Sequence, residues 1–259
     1  MDILHSFIFG VIEGITEFLL ISSIVHMVLA AKVMHLSQTE FVKSFEIVIQ
    51  FGAILSVVVL YWKRFLVDLE SLKRILAAFI PTAILGFLLY KVIKTYLISS
   101  ETIIIWALLI GGLILIAFEM FHREKESAIE DIAKIPYTKC IAIGLFQSLA
   151  MIPGVSRSAA TIIGGLALDL KRSTIVEFSF LLAVPTMLAA SALDLLKSGG
   201  AFSASQFGVL GMGFVVSFIV AIASIRFFLN YIKKHTFIPF GVYRIIVALV
   251  FMASLYISK

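Results

Sequence analysis

Long apolar stretches separated by short polar turns make up most of the chain. Six stretches are apolar over about the length of a membrane span: 44–62, 75–97, 102–120, 175–196, 206–229 and 238–257. A helix that crosses the hydrocarbon core needs roughly 20 apolar residues. The pattern therefore predicts six transmembrane helices joined by short loops.

Two further stretches, 3–30 and 138–170, are apolar at their ends but polar in the middle. The polar positions are Glu13, Thr16, Glu17, Ser22, Ser23 and His26 in the first, and Gln147, Ser148, Pro153, Gly154, Ser156, Arg157, Ser158 and Thr161 in the second. Each stretch predicts two short helices broken in the middle. Broken backbone at membrane depth is tolerated only where it is buried in protein or lines a cavity.

The two broken stretches match each other when Gly10 is aligned with Gly144, an offset of 134 residues. Glu13 then falls on Gln147, and the pair Ser22–Ser23 falls on Ser156–Arg157. Each half contains one broken hairpin and three spans, so the halves have opposite orientations. We predict one all-α membrane domain, 1–259, with six transmembrane helices and two re-entrant hairpins in inverted-topology repeats, 1–125 and 136–259. Such repeats place the binding site near the bilayer midplane.

Composition excludes a soluble domain, because 61% of the residues are apolar and only 14% are charged. The single cysteine, Cys140, excludes a disulfide framework and a four-cysteine metal site. The formal net charge is +5, but no basic stripe with interleaved aromatic residues is present, so we expect no nucleic-acid partner.

The basic residues are unequally divided between the two sides that the predicted topology creates. One side has Lys63, Arg64, Lys73, Arg74, Arg123, Lys125, Lys134, Lys171, Arg172, Lys233 and Lys234, and the other has only Lys32, Lys43, Lys197 and Lys259. Cytoplasmic loops carry the excess of Lys and Arg. Both termini are therefore predicted to lie outside the cytoplasm.

The first broken stretch carries candidate acid–base and metal-binding groups. Glu13 and Glu17 are four residues apart and share a helix face. An acidic group inside a membrane segment is costly and marks function by default. The pair could bind a divalent cation, or one member could act as a general base. Ser22, Ser23 and His26 follow closely, and either serine is a candidate nucleophile.

The second broken stretch carries a candidate phosphate site at residues 153–158, where Pro-Gly interrupts the chain. Ser156 is placed to cap the next helix, and a helix N-terminus attracts anions. Arg157 offers a planar fork of donors that suits phosphate oxygens, and Thr161 shares its helix face. These groups fit a phosphate ester with an apolar tail. A transporter or flippase of a phosphorylated lipid would use the same groups without cleaving the ester.

The two blocks resemble those of the undecaprenyl-diphosphate phosphatases of the bacterial BacA type. Residues 13–26 read EGITEFLLISSIVH against the family's EGxTEFxPxSSTGH, and residues 153–161 read PGVSRSAAT against PGxSRSxxT. Further matching segments lie at 50–55, 177–182 and 239–244. The resemblance covers nearly the whole chain.

The resemblance implies a multi-pass enzyme of the bacterial plasma membrane. It would remove the terminal phosphate of a polyprenyl diphosphate to give the monophosphate carrier of cell-wall synthesis. It implies dependence on a divalent cation, Mg or Ca, and often a homodimer. Carried over by position, the catalytic set is Glu17, Ser23, His26 and Arg157, the phosphate-binding set is Ser22, Ser156, Ser158 and Thr161, and the metal ligands are Glu13 and Glu17.

Three departures from the family pattern cluster beside the serine pair. Leu20 replaces a proline, and Ile24 and Val25 replace a Thr-Gly pair. Glycine at such a break usually supplies a positive φ or lets a ligand approach closely, whereas valine is stiff and β-branched. Ile24 also removes a hydroxyl, and Leu20 removes a break. The departures therefore suggest a variant with altered or lost activity.

Overall fold

The computed structural model describes residues 1–37, 39–97, 100–198 and 206–257, and nearly all of its regular structure is helical. A single isolated β-bridge joins Ile129 and Leu170. The α-helices are α1 Ile3–Thr16, α2 Ser23–Val33, α3 Glu40–Leu60, α4 Trp62–Leu66, α5 Leu69–Val92, α6 Glu101–Phe121, α7 Tyr137–Ser148, α8 Arg157–Ala167, α9 Arg172–Ser198, α10 Phe207–Tyr231 and α11 Ile238–Ile257. Short 3-10 helices cover Ile132–Lys134 and Leu149–Met151, and a π-helical turn, Ile93–Leu97, extends α5.

Five helices among the described residues are long and apolar enough to cross a membrane. They are α3, α5 with its π-helical extension, α6, α9 and α10. The starts of α3, α5 and α6 follow the local sequence, since Thr39, Asp68 and Ser100 each accept a hydrogen bond from the third backbone N–H that follows. All five coincide with predicted spans, which confirms an all-helical integral membrane protein. The sixth predicted span corresponds to α11. Its described apolar part, Ile238–Ala253, is shorter than the other five helices.

Both polar-centred stretches are broken helix pairs, as predicted. The first consists of α1 and α2 with break 1, residues 17–22, between them, and the second of α7 and α8 with break 2, residues 149–156. Each break ends in a serine with positive φ, 68° at Ser22 and 74° at Ser156. Positive φ is uncommon outside glycine. The break geometry is thus the same at two positions that the sequence alignment had paired.

The first helix of each broken pair packs against a long helix of the other half. Helix α1 lies on α10, and α7 lies on α5. Both contacts are close because glycines face backbone: a Cβ at Gly10 would lie 2.8 Å from the Gly213 carbonyl oxygen, and one at Gly144 would overlap the Ala78 carbonyl oxygen. Helix α6 packs on α11. Breaks 1 and 2 thereby meet inside the bundle.

Several of the basic residues that the topology assigned to one side form ion pairs or hydrogen bonds with other segments of the chain. Arg64 pairs with Glu177 at 2.9 Å, Arg172 pairs with Glu119 at 2.7 Å, and the Arg74 guanidinium donates to the Ile135 carbonyl at 2.9 Å. Lys32, assigned to the other side, pairs with Glu101 at the start of α6. The position of the termini outside the cytoplasm stays a prediction.

Candidate active site

A cavity of about 220 Å³ lies between break 1 and break 2. Five of the predicted site residues line it: Glu17, Ser22, Ser23, Ser156 and Arg157. All five side chains are largely buried. The cavity therefore brings together carboxylate, hydroxyl and guanidinium groups from both halves of the chain.

Ser23, Glu17 and Arg157 form a continuous polar chain along this cavity. Ser23 Oγ donates a hydrogen bond of 2.6 Å to Glu17 Oε2. Arg157 Nη2 donates to the other carboxylate oxygen, Glu17 Oε1, at 3.3 Å. A hydroxyl on a carboxylate that a third group orients is the general arrangement of an activated nucleophile and its base.

Arg157 is held at the start of α8, and one of its three guanidinium nitrogens, Nε, lacks a partner among the described residues. Its Nη1 donates to the Ser179 carbonyl at 2.9 Å, and its guanidinium carbon lies 6.0 Å from the centre of the Phe18 ring. Its Nε is buried and has no hydrogen-bond partner among the described residues. A buried polar group without a partner costs free energy. An anion in the cavity would satisfy this donor and meet the positive end of the α8 dipole.

The remaining hydroxyls of the second block have mainly structural contacts. Ser156 Oγ accepts from the Ala159 N–H at 3.3 Å, which confirms the predicted helix cap. Ser158 Oγ donates to the Leu19 carbonyl at 2.7 Å and so joins break 1 to α8. Thr161 Oγ1 donates to the Arg157 carbonyl at 2.8 Å. Ser158 and Thr161 are fully buried behind the cavity wall, so their predicted contact with phosphate has no direct path here.

Glu13 is buried behind Glu17, one helical turn earlier on α1. Its side chain is 1% exposed, and its Oε1 has no hydrogen-bond partner among the described residues. Its charged neighbours are Glu17, Glu46 and Arg157. Within the described ranges, no cluster of three or more His, Cys, Asp or Glu side chains forms a cation cage. Two carboxylates suit instead an ion that takes its other ligands from water and a phosphate.

His26 lies outside the cavity, against α11. One of its ring nitrogens, Nδ1, is 2.8 Å from the Ser22 carbonyl oxygen, and the other, Nε2, is 2.8 Å from the Tyr243 hydroxyl. The two rings are stacked with centroids 5.5 Å apart. His26 and Tyr243 line a separate apolar groove of about 540 Å³ beside α1 and α2. Of the four predicted catalytic residues, His26 is the one that the structure places apart.

Several cavity residues were not predicted, chiefly a small amide–hydroxyl network. Gln147 Nε2 donates to Thr82 Oγ1 and to Thr186 Oγ1, each at 3.0 Å. Gln50 of α3 also lines the cavity. Thr82 and Thr186 each follow a proline inside a long apolar helix, and this Pro-Thr pairing was the available sequence signal.

Comparison with known proteins agrees with the family resemblance of the sequence. A family model described as bacitracin resistance protein BacA matches residues 6–250. The chain belongs to the BacA family. Undecaprenyl-diphosphatase of Aquifex aeolicus is 51% identical over 246 residues, which cover 95% of this chain and 96% of that protein. Undecaprenyl-diphosphatase of Persephonella marina is 50% identical over 252 residues, which cover 97% and 98% of the two chains. With its long apolar helices, this BacA family member is a multi-pass membrane protein.

The three departures from the BacA family pattern fit the packing around break 1. Leu20 is fully buried in the main core cluster, and Val25 is fully buried against Ile104, Leu108 and Phe251. Ile24 is 40% exposed and lines the cavity. Val25 lies inside α2, and the positive φ falls on Ser22. Position 25 therefore needs no positive φ, and break 1 forms without a proline at position 20, whereas Ile24 brings an apolar side chain to the cavity where the family has a hydroxyl.

Replacing Val25 by glycine is expected to destabilise the protein by roughly 3 kcal/mol. The variant loses about 2 kcal/mol of apolar burial and adds a helix-interior glycine that costs about 1 kcal/mol. Thermal unfolding in detergent should show the midpoint lowered by several degrees. The matched change Ile24→Thr, at a partly exposed position, should leave the midpoint nearly unchanged. Equal midpoints for the parent and Val25→Gly would contradict this account of the packing.

Proposed function

We propose that this chain is an integral-membrane phosphatase that hydrolyses the terminal phosphate of undecaprenyl diphosphate. The product, undecaprenyl phosphate, is the carrier lipid that returns to cell-wall synthesis. The observation that carries the proposal is the hydrogen-bonded chain from Ser23 through Glu17 to Arg157 in a cavity between the two breaks. The proposal is also supported by relatives named undecaprenyl-diphosphatase that match this chain along almost its full length.

Ser23 is the proposed nucleophile. Its Oγ attacks the terminal phosphorus while its proton moves to Glu17 Oε2. The bond from phosphorus to the bridging oxygen breaks, and Glu17 gives this proton to the bridging oxygen of the departing lipid monophosphate. Water then attacks the phosphoserine, with Glu17 taking a proton from that water and returning it to Ser23 Oγ as phosphate leaves. Ser23 is favoured over Ser22 because Ser23 already donates to a carboxylate. In the alternative, water attacks directly and Ser23 positions it.

Arg157 is the proposed phosphate clamp. Its buried Nε has no partner among the described residues, and the N-terminus of α8 begins at the same residue. Both would stabilise the charge that builds up on the terminal phosphate oxygens in the transition state. Ser22 and Ser156 line the same cavity and would contact those oxygens. Direct roles for Ser158, Thr161 and His26 stay predictions from the resemblance.

Glu13 and Glu17 are the proposed holders of a divalent cation, Mg or Ca. Only Glu17 of the pair lines the cavity, so Glu17 would hold the ion on the side of water and substrate phosphate, and the buried Glu13, whose Oε1 has no partner among the described residues, would hold it from behind. When bound, such an ion would neutralise charge on the diphosphate. Without this ion, the negative charges of the Glu13 and Glu17 carboxylates would repel the negatively charged diphosphate.

We further propose the finer membrane arrangement. In it, α3, α5, α6, α9, α10 and α11 cross the bilayer of the bacterial plasma membrane, and the broken pairs α1–α2 and α7–α8 are re-entrant. The halves 1–125 and 136–259 would be inverted repeats with both termini outside the cytoplasm. The paired positive-φ serines and the exchange of packing partners between halves support this. A homodimer is expected from the resemblance alone.

Phosphate release from undecaprenyl diphosphate by the purified protein in detergent tests the proposed activity. We expect release of one phosphate per lipid, loss of activity with a chelator, and recovery when Mg or Ca is added. The lipid monophosphate serves as the control and should release no phosphate. In sealed vesicles, lipid that crosses the bilayer with no phosphate release would contradict the phosphatase and favour a flippase. Phosphate release that the chelator does not reduce would contradict only the proposed cation site and would leave the proposed phosphatase activity intact.

A further inference from the structure

Arg244 of α11 is the largest fully buried side chain among the residues that the structure describes, and the proposed mechanism does not use it. It lies in a segment, 239–244, that matched the family pattern without any assigned chemistry. A buried cation in a membrane protein is expensive and usually marks function. The partners of this guanidinium are therefore informative.

All of the hydrogen bonds from Arg244 end on backbone carbonyl oxygens. Nη1 donates to Leu20 and Val155, Nη2 donates to Gly154 and Ala107, and Nε donates to Leu108, at distances between 2.8 and 3.4 Å. No carboxylate is among its hydrogen-bond partners in the part of the chain that the structure describes. A guanidinium has five N–H donors, and here each has an acceptor.

The carbonyls bound by Arg244 belong to both breaks. Leu20 lies in break 1, and Gly154 and Val155 lie in break 2. Leu20 and Gly154 are the pair that the 134-residue alignment superposes. Because the chain leaves helical geometry there, these oxygens have no helical N–H to accept from. One side chain thus satisfies equivalent oxygens on the two facing breaks.

The space for this guanidinium is made by a glycine on the facing helix. A Cβ at Gly111 of α6 would overlap Arg244 Nη2. Ala107 and Leu108, one turn earlier on α6, supply the remaining two carbonyls. The guanidinium is therefore fixed on all sides and cannot shift without moving a break.

We infer that Arg244 is a positioning residue that sets the separation between Ser23 and Arg157. Ser23 lies three residues after the bound Leu20 carbonyl, and Arg157 lies three residues after the bound Gly154 carbonyl. Arg244 touches neither the substrate cavity nor the reacting groups, so it acts through the two breaks. The inference rests on the proposed phosphatase, since it concerns the alignment of that nucleophile with that phosphate clamp.

The test compares Arg244→Met, Arg244→Lys and Gly111→Ala with the parent, using kcat, KM and amide hydrogen exchange. Methionine keeps much of the length but donates nothing, and we expect kcat to fall about a hundredfold, as for a misplacement of about 1 Å. KM should stay within about threefold, because Arg157 still binds phosphate in the ground state. Lysine, with three donors from one point, should rescue kcat in part. Gly111→Ala should lower kcat with the arginine intact.

Hydrogen exchange separates positioning from general destabilisation. Peptides covering 17–22 and 149–156 should exchange faster in all three variants, while α3 stays protected. Two controls match the changes: Arg172→Met removes a part-buried arginine that contacts neither break, and Gly211→Ala adds a Cβ with no heavy atom within 4 Å. Both controls should keep the parent's kcat per folded molecule.

A folded Arg244→Met variant with the parent's kcat would overturn the inference, as would a raised KM with kcat unchanged. If Arg244→Met does not fold, Arg244→Lys and Gly111→Ala decide: reduced kcat with faster exchange at both breaks supports the inference, and parental kcat in both overturns it. A parent protein that releases no phosphate contradicts the proposed function instead, and the exchange at the breaks still reports whether Arg244 holds them.

Discussion

Arg157→Ala is expected to reduce phosphate release from undecaprenyl diphosphate by about a thousandfold while the protein still folds. The reason is that Arg157 is the only guanidinium among the described residues lining the cavity, and its buried Nε has no hydrogen-bond partner among them. Removing one such charge-stabilising donor typically costs a factor of about 10² to 10³, and a catalytic arginine more. Steady-state kinetics on detergent-solubilised protein, with size-exclusion chromatography for folding, measures the effect.

The conservative change Arg157→Lys should also be poor, within about tenfold of the alanine variant. An ammonium keeps the charge but cannot contact Glu17, the Ser179 carbonyl and phosphate as a planar fork does. Arg64→Lys is the matched control, since Arg64 pairs with Asp68 and Glu177 away from the cavity. Full-rate phosphate release by either Arg157 variant would mean that Arg157 is not the clamp.

Glu17→Gln is the second large effect, with an expected fall in kcat of about a thousandfold. Glutamine has nearly the shape of glutamate and can still accept the Ser23 hydroxyl, but it cannot take the proton. Loss of a general base typically costs a factor of about 10² to 10⁴. Ser23→Ala should cost a similar factor, and the double variant should be no worse than the worse single one, because the two residues act as a unit.

The Glu13→Gln variant distinguishes the loss of the general base from the loss of the proposed cation site. If Glu13 binds the cation, this variant should need more Mg or Ca for half-maximal rate, and saturating cation should restore most of its kcat. Added cation should restore little of the activity of Glu17→Gln, because the base is missing. Parental kcat in Glu17→Gln or in Ser23→Ala would refute the proposed pair, and Ser22→Ala would then be the variant to compare.

The sequence was sufficient for those parts of the fold that depend on local pattern. Apolar length predicted the long helices, and polar residues in mid-stretch predicted both breaks. The Ser156 cap also followed, because a cap depends on neighbours within one turn. Contacts between distant segments could not be predicted in this way. His26 lies on the groove side of α2 because Tyr243, 217 residues later, accepts or donates there, and nothing in the spacing around His26 carries that information.

The position of the turn in break 1 also differs from the one that the family's glycine suggested, and the reason is physical. The family's glycine at position 25 suggested either a positive φ or a close approach of the ligand at that residue. The chain turns instead at Ser22, and α2 is already regular at Val25, where a side chain fills the space against α6 and α11. Whether a buried position requires glycine depends on the helices packed around it, and a single sequence does not specify them.

Arg244 also bears on how such a protein could have been assembled from smaller ones. The 134-residue register places Ile110 where the second half has Arg244, and the neighbouring Gly111 provides the room for that guanidinium. Two copies of 136–259 would place Ile245 in the register of Gly111, where even a Cβ would overlap the guanidinium, and two copies of 1–125 would leave the break carbonyls without a donor. The halves are therefore complementary rather than interchangeable, and a protein built from two identical half-length subunits could not reproduce the interior of this one.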